Sequence, residues 1–141
     1  MLALDSNVLS AVFRGESTAY RIVELLEARR ADGLLIYVAA FGEVLAGPSI
    51  RRSDVEAFLS DAGVTVVWET SAEVWEQAIA GFTLYAERRR RSGGTQPRRI
   101  LTDFLIGAHA TVSVGELLTL DSQHYRQNFA GLVVIDPARE S

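Results

Sequence analysis

Residues 34–48 read LLIYVAAFGEVLAGP. The first seven, 34–40, are apolar without a break. A strand with one wet face alternates polar and apolar residues, whereas a strand covered on both faces does not. The run therefore predicts a central strand of a mostly parallel sheet with helices on either side. Residues 41–48 predict a short helix stopped by Gly47 and Pro48.

Similar apolar runs recur along the chain: LALD (2–5), VTVVWE (64–69), ELLTLD (116–121) and GLVVID (131–136). Between them lie segments of helical periodicity, at 6–15, 17–33, 52–63, 71–91 and 98–115. The segment 71–91 opens with Ser71 and acids and closes on four arginines, which suits a helix dipole at both ends. The stretch SGGTQP (92–97) predicts a loop. Strands alternating with helices indicate an α/β fold, a three-layer α/β/α arrangement, with all 141 residues in one domain.

Composition narrows the chemistry. There is no cysteine, so thiolate metal sites and disulfides are excluded. All fourteen basic residues are arginine. Arginine recognises phosphate and carboxylate but does not serve as a base or form a Schiff base. Lysine-dependent mechanisms are closed; a phosphoacceptor-type signalling domain, an alternative for acids at strand ends, would lack its lysine. No apolar run is long enough to span a bilayer, and the N-terminus reads as a strand; a cytoplasmic protein is expected.

Two runs end in an acid, Asp5 and Asp121. In open parallel sheets, ligands sit outside the carboxyl ends of the strands. Glu43, expected in the first turn or so after its strand, and Asp103, near the start of the helix 98–115, belong to the same rim. Taken singly, each acid could be a helix cap or a surface residue. Taken together, four carboxylates among small apolar neighbours repel one another unless a cation joins them. All-oxygen ligands suit Mg²⁺, with Mn²⁺ as a substitute, rather than zinc.

The stretches LALDSNVLSAV, FGEVLAG, LTDFLIGAHA and LLTLDSQHYRQNF, in that order, resemble the PIN-domain ribonucleases, and within them the VapC-type toxins of toxin–antitoxin pairs. The resemblance implies catalytic and metal-binding roles for Asp5, Glu43, Asp103 and Asp121, with Ser6, Asn7 and Thr119 supporting them. It implies a Mg²⁺-dependent endoribonuclease that cleaves phosphodiesters by metal-activated water. It also implies an RNA substrate, a cognate antitoxin and a homodimer, with the helices at 6–14 and 17–31 as the place to look for the antitoxin. The alternative is a catalytically silent domain of the same fold that binds RNA or protein.

The stretch RRRRSGGTQPRR (88–99) carries six arginines and no acid. It reads either as an RNA-backbone contact, with Arg98 and Arg99 nearest Asp103, as a solvated helix end, or as a surface for an acidic antitoxin segment. His109 lies about 240° around its helix from Asp103, which points it into the core. His124 follows Asp121 closely enough to be a second candidate for the rim. Trp68, Trp75 and Phe82 read as core or interface packing rather than base-stacking platforms.

Overall fold

The computed structural model describes residues 1–95 and 97–139. Gln96, in the expected loop 92–97, and residues 140–141 lie outside the described residues. Five strands form one sheet: β1 (Leu2–Leu4), β2 (Leu34–Tyr37), β3 (Val64–Val67), β4 (Glu116–Leu118) and β5 (Val133–Ile135). Their order is β3-β2-β1-β4-β5, and every pairing is parallel. The α-helices among the described residues are α1 (Ser6–Phe13), α2 (Ala19–Arg29), α3 (Val38–Leu45), α4 (Arg52–Ala62), α5 (Ala72–Arg91), α6 (Leu101–Ser113) and α7 (Ser122–Asn128). The three-layer α/β/α expectation holds. None of the described helices is long and apolar enough to cross a membrane.

The central strands justify the apolar reading. Every residue of β1 and β2 is buried. Each fully buried Leu or Ile side chain contributes roughly 1.5–3 kcal/mol relative to exposure.

Two differences from the expected boundaries bear on the site. The strand predicted over 34–40 stops at Tyr37, because its partner β3 runs out at Val67, the residue opposite. Without a ladder, Val38, Ala39 and Ala40 turn into α3, and the alanines favour that. Glu43 consequently lies in the second helical turn, not the first. The helix predicted from Arg98 begins at Leu101, leaving Arg98 and Arg99 in the approach to it.

The strand order reverses between β1 and β4. Chain leaving β1 continues to β2 and chain leaving β4 continues to β5, in opposite directions along the sheet, so a crevice opens between the carboxyl ends of β1 and β4. Asp5 follows β1 directly, and Asp121 comes three residues after β4.

Candidate functional site

Asp5 sits at that crevice as the N-cap of α1 and is almost wholly buried. Its Oδ1 accepts the backbone N–H of Ser6 at 2.8 Å. Its Oδ2 accepts the Thr119 hydroxyl at 2.8 Å and the Asn7 amide at 3.2 Å. The Tyr125 hydroxyl is a further hydrogen-bonding partner. Burial pushes this carboxyl above its ordinary range, and the charge of Asp121 adds to the push; the bonds from Thr119, Ser6 and Tyr125 pull the other way.

The spacing of Thr119 and Asp121 has a structural reason. The fully buried Thr119 hydroxyl donates to Asp5 and accepts the backbone N–H of Asp121 at 3.0 Å. One oxygen thus ties the end of β1 to the turn after β4. Asn7 makes a second tie, accepting the N–H of Leu120 at 3.0 Å. Ser6 reaches across the sheet edge and donates to Glu43 Oε1 at 2.9 Å.

Glu43 is half-buried on α3. Burial raises its carboxyl, and the charges of Asp5 and Asp103 raise it further, against the Ser6 bond. Asp103 lies in the first turn of α6, where its Oδ2 accepts the N–H of Ile100 at 3.0 Å. It caps a helix and contributes to the shared field at once.

Asp121 has a cationic partner that its sequence neighbourhood does not reveal. The Arg99 guanidinium donates to both its oxygens: Nη1 makes a very short contact to Oδ2, and Nη2 reaches Oδ1 at 3.4 Å. Tyr85 holds Arg99 there. Its hydroxyl donates to the carbonyl of Pro97 at 2.5 Å and accepts the N–H of Arg99 at 2.6 Å. Arg98 is exposed. That partner of Asp121 is 22 residues away in sequence.

The four acids thus feel one another electrostatically without forming a ready-made cage. Among the described residues, no three His, Cys, Asp or Glu side chains are grouped closely enough to hold an ion. The donor chemistry still fits a hard divalent ion. Asp5 is a buried carboxylate that receives neutral donors, and Glu43 is crowded by two like charges. Mg²⁺ commonly binds through only one or two carboxylates and keeps several waters, so a full protein cage is not required.

The histidines divide as follows. His109 is buried and stacks on Tyr37, with centroids 4.4 Å apart; burial lowers its pKa. His124 is also buried, edge-on to Phe104 at 5.2 Å, and burial and Arg99 lower its pKa. Tyr125 and Tyr85 were not singled out from the sequence. The available signal was general: a buried tyrosine needs a partner for its hydroxyl.

Glu43→Gln tests the crowding. A carboxyl raised in the folded state stabilises below its unfolded pKa, and that stability is lost as pH rises through the folded value. In chelator at pH 7.5, Glu43→Gln is therefore expected to raise Tm, with the gain shrinking towards pH 5. Solvent screening of a half-exposed group keeps the effect to about 1 kcal/mol or less. Thermal melts of both proteins across that pH range check it; a gain independent of pH contradicts the crowding.

No curated protein sequence matches the chain. Solved structures do resemble it. VapBC2 from Rickettsia felis, bound to a DNA fragment from its promoter, is 17% identical, with a TM-score of 0.65 over 96% of this chain and 97% of that one. A toxin–antitoxin complex from Klebsiella pneumoniae is 19% identical, with a TM-score of 0.65 over 97% and 98%. FitAcB from Neisseria gonorrhoeae is 17% identical, with a TM-score of 0.61 over 99% and 100%. At these identities the likeness speaks to fold. Residues 2–130 match the PIN domain, a span that takes in all four acids and the sheet edge that gathers them, and the chain belongs to that family.

Proposed function

We propose that the chain is a Mg²⁺-dependent endoribonuclease acting as the toxin of a toxin–antitoxin pair. The observation that carries this reading is the gathering of Asp5, Glu43, Asp103 and Asp121 at the one edge where the strand order reverses. These are the residues that would hold the ion, Asp121 in competition with Arg99. A bound Mg²⁺ supplies Lewis acidity toward a phosphate oxygen and acidifies a water. Thr119, Asn7 and Tyr125 fix the Asp5 carboxylate, and Ser6 fixes Glu43, so the acids are positioned before substrate arrives. Structural neighbours that are toxin–antitoxin complexes support an antitoxin partner. Exposed Trp75 and Ile79, one turn apart on α5, support a contact with a second copy or with that partner.

A second reading, a silent RNA- or protein-binding domain, is favoured by the Arg99–Asp121 pair and by the lack, among the described residues, of three acids grouped closely enough to hold an ion. One experiment separates them. Purified protein is incubated with pooled tRNA, rRNA and mRNA, with Mg²⁺ or with chelator. The nuclease reading expects cutting with Mg²⁺ only. Cutting that survives chelation, or no cutting of any pool, removes it. Asp103→Asn is expected to keep the fold while weakening Mn²⁺ binding by calorimetry.

A further inference from the structure

Next to Asp121 lies a cavity of about 260 Å³ whose walls include Arg88, Arg99, Asp121, Gln123, Gln127 and Asn128. A larger cavity of about 430 Å³ adjoins it, sharing Tyr85 and Arg99, and is lined by Arg89, Arg90 and Arg98. We propose that the first cavity is a base-reading subsite for one nucleotide of a single-stranded RNA, and that the second carries the neighbouring backbone phosphates. This rests on the nuclease reading for its substrate class.

Size comes first. Pockets for drug-sized ligands span roughly 300–1,000 Å³, so a cavity just below that range suits something as small as a single base. Polarity comes next. Asn128 is committed: its Oδ1 accepts Arg88 at 2.6 Å, and its Nδ2 donates to the His124 carbonyl at 2.9 Å. Gln123 and Gln127 are not. They lie one helical turn apart on α7, are exposed, and make no hydrogen bond among the described residues. A carboxamide offers a donor and an acceptor side by side, which matches the mixed edge of a base.

Charge completes the case. Arg88 keeps a buried Nε without a partner among the described residues, beside the cavity it lines. Guanidinium groups suit phosphate and stack on bases. A docked protein segment is ordinarily anchored by apolar or aromatic contacts in the centre of its interface. This wall offers the exposed ring of Pro97 but no exposed aromatic anchor: Tyr85 is buried, with its hydroxyl already bonded to Pro97 and Arg99, and His124 is buried too. A polar, cationic cleft beside the acids favours a nucleotide over a peptide.

The test uses the full chain in chelator, with the side-chain amides of Gln123 and Gln127 followed by NMR while each of the four nucleoside 5′-monophosphates is added. Both amides are expected to shift and saturate, with affinities for the four bases spread by about fivefold or more. Gln127→Ala, an exposed change, is expected to weaken the tightest of them by a similar factor. Amides that stay still up to about 10 mM nucleotide, or that respond equally to all four, overturn the subsite. A second arm sequences the ends of cleaved RNA. Gln127→Ala is expected to flatten the base preference at one position near the cut; an unchanged preference overturns the subsite and leaves the nuclease standing. Nucleotide binding without any cleavage does the reverse.

Discussion

Asp5→Asn is expected to abolish Mg²⁺-dependent RNA cleavage while leaving the sheet intact. Asp5 is the most deeply buried of the four acids, and neutral groups alone satisfy it. Losing a group that merely supports a metal ligand typically costs about 10–100-fold in affinity or activity. Losing Asp5 itself is expected to exceed that range, and Thr119→Val to fall within it, since it removes the hydroxyl that orients Asp5 and holds the N–H of Asp121 but leaves both carboxylates in place. Initial cleavage rates, with Mn²⁺ titrations on the same proteins, measure both. Equal losses for the two variants would mean that Thr119 does more than orient, and an active Asp5→Asn would end the proposed chemistry. The asparagine keeps an oxygen for some of the four donors, so near-ultraviolet circular dichroism should remain native.

Gly107→Val is expected to unfold the protein or cost at least about 3 kcal/mol, the upper end for overpacked cores. That is a large part of a typical stability of roughly 5–15 kcal/mol. Gly107 lies inside α6, and a Cβ placed there would come within 2.3 Å of the Phe129 ring. The ring has nowhere to go. It is buried and packed among Phe104, His124 and Tyr125, at centroid distances of 6.1, 6.2 and 6.0 Å. Gly42→Ala is the counterpart. That helical position has nothing within 4 Å of an added Cβ, so the substitution should stabilise by up to about 1 kcal/mol through helix propensity. Urea melts of both variants decide; a tolerated Gly107→Val would show that the aromatic cluster is looser than its geometry implies.

The sheet was legible because its central strands are apolar on both faces, a signal carried by consecutive residues. Asp5 and Asp121 were legible because each ends such a run. The limit of α3 was not, since Val38 is apolar in either conformation and the choice depends on where β3 gives out. The bond between Ser6 and Glu43 spans 37 residues, and that between Thr119 and Asp5 spans 114. Local pattern says nothing of such pairs; only the strand order makes them neighbours. The same holds for Tyr85, which fixes Arg99 from a different helix and whose own segment reads only as amphipathic. The arginine stretch was noticed for its charge, but which of its members faces an acid depends on that clamp.

The hold of Arg99 on Asp121 has a further consequence. A guanidinium stays protonated throughout the physiological range, so Arg99 does not release this latch by giving up its proton. What opens it must be a rival: a cation that claims the carboxylate, or an anion that draws the arginine away. Salt and substrate are the keys.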